Sequence, residues 1–191
     1  MSTLSTPRYH HGDLRNTLLA AAERIIDSDP ARTFSLRELA RTAGVSHAAP
    51  YKHFATQAEL VAELARRWMA DFVDAQEQAV TGADARADLL AAGQAYTGWA
   101  ASHPSRFTII FDPAWNTGTG SGVLAGEATR HEALLQRLTT TAIGAGVLSG
   151  PAPAAATHLW ALVHGLATLV ILGHIARADV PAALQRALLP A

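Results

Sequence analysis

Apolar residues recur at helical spacing in the long segments of this 191-residue chain, and no segment alternates as a half-exposed strand does. The first segment places Leu14, Leu18 and Ile25 on one face, with Ala21 and Ala22 between them, and ends at Ser28-Asp29-Pro30. Later segments with the same period cover about 56–82, 84–103, 123–145, 154–176 and 180–189, and a shorter one carries Phe107 and Phe111. With two short helices near residues 35–54, the pattern predicts an all-α protein of about nine helices.

The two short helices are predicted from the capping and stop residues at their ends. Ser35-x-x-Glu38 is a capping box that opens the second helix, and Gly44 follows where that helix needs a left-handed stop. Ser46 is expected to cap a third helix that reaches residue 54, with Pro50 in its first turn. A second capping box, Thr56-x-x-Glu59, opens the fourth helix. A helix, a tight turn with glycine and a second helix predict a helix-turn-helix.

The residues of this motif suit contact with DNA. The third helix begins with small side chains, which let its backbone approach base edges, and continues with Tyr51, Lys52 and His53, which can reach phosphates. Residues 1–54 carry seven Lys and Arg against five Asp and Glu, while residues 55–191 carry eight against eleven. The N-terminal part is therefore the slightly basic part of a chain whose net charge is -1.

The run at residues 34–54, FSLRELARTAGVSHAAPYKHF, followed by Glu59 and Leu60, resembles the DNA-binding domain of TetR-family transcriptional regulators over about residues 13–70. The resemblance implies a homodimer whose recognition helices enter successive major grooves, and a C-terminal domain that binds a small molecule. Trp160-x-x-x-His164-Gly165 resembles a Trp-His-Gly signature of one C-terminal subgroup. Matching positions give the predicted DNA-binding residues Ser35, Arg37, Ser46, His47, Ala48, Ala49, Tyr51, Lys52 and His53.

The domain boundaries follow from these segments. We expect an N-terminal arm and helix-turn-helix at residues 1–55, a connecting helix at 56–82, and a C-terminal ligand-binding and dimerisation domain at 83–191. The arm contains Arg8, Tyr9, His10 and His11. Two interpretations of it stay open, an arm that reaches into the minor groove and a tail without function.

The C-terminal part contains candidate ligand residues near a loop at 112–122. They are aromatic or imidazole side chains: Trp99, His103, Phe107, Phe111, Trp115 and His164. They can line an apolar pocket or belong to the ordinary core. The glycines at 118–122 lack the ending of a phosphate-binding loop, and the spacing of His131, His158 and His164 fits no metal pattern. We therefore expect neither a metal nor a cofactor.

Segment 154–176 is almost continuously apolar and long enough to cross a membrane. Three histidines interrupt it and no positive cluster flanks it, which favours a buried or interface helix and no membrane partner. Small residues lie along it: Ala161, Gly165, Gly173 and Ala176. They favour a dimer interface over intramolecular packing, and either 123–145 or 180–189 would complete a four-helix bundle with the partner copy.

Composition excludes some classes of function. The chain has no cysteine, hence no disulfide, thiolate zinc site or cysteine nucleophile. Its first residues lack a secretory apolar region, so we expect a cytoplasmic location. The leading hypothesis is a non-enzymatic repressor that binds a palindromic operator as a dimer and is released by a small, largely apolar effector. The alternatives are a helical adaptor that binds protein without DNA and a small metalloenzyme.

Overall fold

The computed structural model describes residues 11–28, 34–113 and 122–187, with side chains from residue 14 onward. These ranges contain α-helices and short 3₁₀ turns but no strand, as the sequence predicts. The eight α-helices are α1 His11–Ser28, α2 Leu36–Thr42, α3 Gln57–Ala79, α4 Ala85–Ser102, α5 Pro104–Ile110, α6 Ala125–Gly144, α7 Ala152–Ile171 and α8 Val180–Ala187.

The chain forms two compact units, Met1–Leu64 and Ala65–Ala191, and the division falls within α3. In unit 1 the predicted face of α1 is buried: Leu18, Ala21 and Ala22 are fully covered and Ile25 is 6% exposed. Leu39 and Ala40 of α2 are also inaccessible to solvent. Burying a leucine or isoleucine side chain stabilises a fold by roughly 1.5–3 kcal/mol, so this face is what holds the small unit together.

The predicted third helix is wrong in form. Residues 46–54 contain only a 3₁₀ helix, Pro50–Lys52, preceded by turns. An α-helix begun at Ser46 would need the N–H of residue 50 for the Ser46 carbonyl, and proline has none. That carbonyl accepts instead from Ala49 N at 2.9 Å, and His53 N closes the next turn onto the Pro50 carbonyl at 2.9 Å. The segment is therefore a tighter, shorter helical turn.

In unit 2, α4 packs against α5, α6, α7 and α8, and α6 also packs against α7. Leu89 and Ala92 of α4 share one apolar cluster with Leu134, Leu138 and Ala142 of α6. A second cluster joins Leu166 of α7 to Val180 and Leu184 of α8. Because α4 contributes to packing on several sides, it is the central helix of the unit.

Helix α7 differs from the prediction in length and in burial. It ends at Ile171, because Gly173 adopts a left-handed φ of 75° and the following N–H, that of His174, returns to the Leu169 carbonyl at 2.9 Å. Gly173 and Ala176 thus lie beyond the helix and not on its face. Its 20 residues are apolar and long enough to cross a membrane, with only 22% of the most apolar window buried. Helix α7 is therefore not buried within a single chain, and the interface alternative stays a prediction.

Candidate DNA-binding surface and ligand cavity

The helix-turn-helix of unit 1 is held by local hydrogen bonds that its sequence specifies. Ser35 Oγ accepts from Glu38 N at 3.1 Å and caps α2, and Thr56 Oγ1 accepts from Glu59 N at 3.1 Å and caps α3. The Glu59 carboxylate accepts from Ala55 N at 2.7 Å. At the end of α2, Gly44 has a φ of 69°, and Val45 N returns to the Ala40 carbonyl at 2.9 Å. The turn that re-aims the chain toward Ser46 is thus a glycine-dependent helix stop.

The predicted DNA-binding residues are exposed with two exceptions. The exposed ones are Ser35, Arg37, Ser46, His47, Ala48, Tyr51 and Lys52, and Tyr51 is 56% exposed. Ala49 is only 8% exposed, so it belongs to the packing of the motif. His53 is half-buried, and its Nε2 is buried with no hydrogen-bond partner among the described residues. Its ring therefore faces the unit more than the solvent.

Arg15 braces the motif from α1, a role that the sequence did not reveal. Its guanidinium carbon lies 5.2 Å from the centroid of the Phe54 ring, and its Nη1 lies 3.3 Å from Glu63 Oε1. A guanidinium can stack on an aromatic face while its edge pairs with a carboxylate. Arg15 therefore ties α1 both to the end of residues 46–54, the predicted recognition segment, and to the start of α3, within unit 1.

Unit 2 contains an apolar inner cavity of about 50 Å³ bounded by α3, α4, α6, α7 and α8. Apolar side chains make most of its wall: Leu89, Leu90, Ala92, Leu134, Leu135, Leu138, Leu159, Leu162, Val163, Leu184 and Ala187, with Gly93 between them. The other lining residues are Gln76, Tyr96, His131 and Trp160. Among the described residues that line it there is no formal charge.

The polar groups that line the inner cavity differ in whether they already form hydrogen bonds with other protein groups. The Tyr96 hydroxyl lies 2.8 Å from His164 Nδ1, burial raises the pKa of Tyr96, and a hydrogen bond from the Trp160 indole opposes that rise. Gln76 is 4% exposed and donates through Nε2 to the Phe72 carbonyl at 3.0 Å. Burial lowers the pKa of His131 to about 4, so its imidazole is neutral near pH 7. Tyr96 is therefore committed to the protein, while His131 has no hydrogen bond to another described residue.

An outer groove of about 340 Å³ lies beside the inner cavity, between α6 and α7. His131, Leu135 and Trp160 line both spaces, so they form the boundary between them. The groove is also lined by Gln136, Thr157 and Glu132, the last of which is the charged residue of its described wall. The combined volume of the two spaces reaches the lower end of the volumes of small-molecule sites, which begin at about 300 Å³.

Both units match known family models. Residues 18–64 match the model described as bacterial regulatory proteins of the tetR family, and residues 89–190 match the tetracyclin repressor-like C-terminal domain. The chain belongs to the TetR family. The first match covers the helix-turn-helix of unit 1, and the second covers helices of unit 2 that line the inner cavity. The chain therefore has the fold of a TetR-family DNA-binding transcriptional regulator.

Solved structures share this fold along nearly the whole chain. A protein of unknown function from Rhodococcus sp. RHA1 is 34% identical, with a TM-score of 0.80 over 96% of this chain and 95% of that one. The TetR regulator PfmR from Thermus thermophilus is 20% identical (TM-score 0.72, 90% and 96% covered). The regulator FadR from Bacillus subtilis, solved with stearoyl-CoA, is 15% identical (TM-score 0.67, 89% and 95% covered). No curated protein matches the chain.

The predicted ligand residues of this TetR-family chain are divided among different surroundings. Phe107, Phe111 and His164 line a third cavity of about 260 Å³, and Phe111 also lines the outer groove. Trp99 and His103 stack on each other with ring centroids 4.8 Å apart, and they line none of these three spaces. Trp115 lies outside the described residues. None of the five described ones lines the inner cavity.

The sequence did not predict the residues that line the inner cavity as a group. Gln76, Tyr96, His131 and Trp160 come from four helices, and nothing in their spacing along the chain brings them together. His131 and Trp160 stood out in the sequence for other reasons, as a histidine and as part of the Trp-His-Gly resemblance. In the part of the chain that the structure describes, no three His, Asp or Glu side chains are grouped to hold a metal ion.

Proposed function

We propose that this TetR-family protein is a repressor that binds a palindromic operator as a homodimer and is released by a small, largely apolar effector. The observation that carries the proposal is the exposed set of side chains around the turn of unit 1, above all His47, Tyr51 and Lys52. They combine an imidazole, a hydroxyl and a cation on one short segment that follows a helix-turn-helix turn. Such groups bind phosphates and base edges, whereas a core segment would bury them.

A dimer is supported by the exposed apolar face of α7. Trp160 is 43% exposed, Leu169 is 38% exposed and Leu172, just after the helix, is 62% exposed. Ala161 is also exposed, and a Cβ added at Gly165 would meet no atom within 4 Å. Large apolar side chains beside small ones let a second helix approach closely and remove this surface from water. The partner copy is the occupant we propose, with α6 as the second helix of the bundle.

Dimer symmetry and two recognition segments lead to a palindromic operator, with half-sites about one helical turn or more apart. Release then requires only that the effector binds better to a state in which the two DNA-binding units are wrongly spaced. The inner cavity and outer groove support an effector site in unit 2. FadR of the same fold was solved with stearoyl-CoA, which supports an apolar chain as part of an effector. We place the protein in the cytoplasm, where operator DNA is.

Selection of random duplex DNA by the purified protein tests the proposal. We expect a palindrome to be enriched, and we expect the triple variant His47→Ala, Tyr51→Ala, Lys52→Ala to lose that enrichment. The matched control is Gln94→Ala, Gln185→Ala, Arg186→Ala, three exposed residues of unit 2, which should select the same sequence as the wild type. Binding should weaken steeply with salt, since each phosphate contact releases counterions.

Two results would contradict the proposal. If no sequence is enriched at low salt, the protein-binding adaptor becomes the better explanation. If the triple variant still selects the palindrome, another surface reads the DNA. The dimer is tested separately by light scattering after chromatography. Ala161→Arg places a charge in the proposed interface and should yield monomers, whereas Gln94→Arg, on an exposed position of α4 outside the proposed interface, adds the same charge and should remain dimeric.

A further inference from the structure

The recognition segment, residues 46–54, has few hydrogen bonds of its own to fix its direction. Its 3₁₀ helix covers only Pro50–Lys52, and the N–H groups of His53 and Phe54 both donate to the Pro50 carbonyl at 2.9 Å. A single turn of this kind is not stable in isolation, because too few bonds offset the ordering of its backbone. The direction of its exposed side chains therefore depends on the contacts that the segment makes with its neighbours.

At its C-terminal end the segment is held by Arg15 of α1. The Phe54 ring is 3% exposed, and the Arg15 guanidinium carbon lies 5.2 Å from its centroid. Arg15 Nη1 also lies 3.3 Å from Oε1 of Glu63, in the second turn of α3. A planar guanidinium can stack on a ring and pair with a carboxylate at the same time. One cation thus connects three parts of unit 1: α1, the last residue of the recognition segment and the start of α3.

These contacts lie near the surface and contribute little to stability. The side chain of Arg15 is 38% exposed and that of Glu63 is 18% exposed. Ion pairs and cation–π pairs in such surroundings are weak, because water competes for the charges. DNA binding is more sensitive to direction, since a base contact requires its donor and acceptor at hydrogen-bond distance. In a homodimer the same shift occurs in both protomers, so its effect on operator affinity counts twice.

We propose that Arg15 is a positioning residue for operator binding: held by Phe54 and Glu63, its guanidinium fixes the direction of the recognition segment and does not itself bind a phosphate. This inference rests on the proposed function of the chain as a regulator that binds an operator. A direct phosphate contact would have the opposite consequence at Glu63. Removal of that carboxylate charge would then free the guanidinium for DNA and strengthen binding, whereas a positioning role requires the same change to loosen the segment and weaken binding.

Fluorescence anisotropy with the duplex enriched in the selection measures operator affinity in these variants. Arg15→Met should weaken binding by about tenfold per protomer, the loss of roughly one base contact, and by up to about 100-fold for the dimer. Its melting temperature should fall by no more than about 4 °C, because the contacts that it loses lie near the surface. Glu63→Gln should also weaken binding. Arg15→Lys should lie between Arg15→Met and the wild type, since an ammonium keeps the charge but lacks the flat face.

Arg24→Met is the matched control. Arg24 is an exposed arginine of α1, and the nine residues between it and Arg15 amount to two and a half helical turns, which places it on the opposite side of the helix. The control therefore loses the same charge from the same helix without touching the recognition segment. It should bind the duplex as tightly as the wild type does.

Hydrogen exchange without DNA, followed by NMR, tests the positioning itself. The N–H groups of His53 and Phe54 should exchange faster in Arg15→Met and in Glu63→Gln than in the wild type, because the turn that protects them opens more often. The N–H of Ala43, which donates to the Leu39 carbonyl at 2.8 Å at the end of α2, should keep its wild-type rate.

Three results would overturn the proposal: a Glu63→Gln variant that binds the duplex as tightly as the wild type or more tightly, an Arg15→Met variant with wild-type affinity, or unchanged exchange at His53 and Phe54 in Arg15→Met. A selection that enriches no sequence counts instead against the proposed function. Because hydrogen exchange needs no DNA, it then decides the role of Arg15 by itself, and the two failures are distinguishable.

Discussion

Asp88, near the start of α4, is a buried carboxylate whose partners all lie in the turn between α3 and α4. It is 5% exposed. Its Oδ1 accepts from Thr81 N at 2.8 Å and Thr81 Oγ1 at 3.3 Å, and its Oδ2 accepts from Gly82 N at 2.9 Å. Asp84, four residues earlier, is an exposed N-cap that accepts only from Ala87 N at 2.6 Å. The two aspartates therefore make a matched pair.

We expect Asp88→Ala to lower the free energy of unfolding by about 2–3 kcal/mol. A hydrogen bond to a charged group contributes about 1.5–3 kcal/mol, but water can reach the exposed Thr81 and Gly82 in the variant and replace part of the loss. Asp84→Ala should cost about 1 kcal/mol, the usual value of an N-cap. Asp88→Asn retains one acceptor oxygen and should fall between the wild type and Asp88→Ala.

Urea unfolding followed by circular dichroism measures these differences, at one protein concentration because a dimer's stability depends on it. With a slope of about 2–3 kcal/mol per molar urea, Asp88→Ala should move the midpoint by about 1 M. The reasoning is refuted if Asp88→Ala costs no more than Asp84→Ala. It is also refuted if Asp88→Asn costs as much as Asp88→Ala, since the acceptor geometry would then contribute nothing.

Three further predictions concern other parts of the chain. Burial lowers the pKa of His131 from 6.5 to about 4, so the unfolded state binds the proton more readily and stability should be full above about pH 6.5 and fall toward pH 4. Urea titrations of His131→Leu should show a weaker dependence, with a remainder from His164, whose pKa burial also lowers. Gly44→Ala meets no atom within 4 Å but keeps a φ of 69°, so it should cost about 1–2 kcal/mol in thermal unfolding, from the backbone alone. Arg130→Met removes ion pairs to Asp74, Glu77 and Glu127, and its cost of up to about 1 kcal/mol at low salt should disappear in concentrated salt.

The helix ends show how much could be predicted from local sequence. Ser35 and Thr56 accept the backbone N–H groups that their capping boxes predict, and Gly44 takes the left-handed conformation expected after α2. These interactions span three to five residues, so the sequence alone contains both partners. The wrong prediction at residues 46–54 also has a local cause. Because Pro50 has no N–H for the Ser46 carbonyl, the segment forms a 3₁₀ turn and not an α-helix. The pattern of small and polar residues gave no sign of that missing hydrogen bond.

The candidate ligand site could not be predicted in the same way. Aromatic residues near a loop suggested Trp99 and His103, which stack on each other instead. The polar and aromatic residues that line the inner cavity, Gln76, Tyr96, His131 and Trp160, each lie on a different helix. Which of these polar groups stays open also depends on distant partners, as the bond between Tyr96 and His164 shows, because 68 residues separate the two side chains.

By itself the sequence determined the all-α class, the faces of the long helices, the caps and the helix-turn-helix with its family, because periodicity and capping are interactions between near neighbours in the chain. Tertiary structure alone decided which aromatic and polar groups meet, which of them a ligand can reach, and that the most apolar helix, α7, is left exposed in a single chain. Packing of α4 against four other helices sets those distances, and burial then determines the charge state of His131. A cavity is the space that such packing leaves between helices.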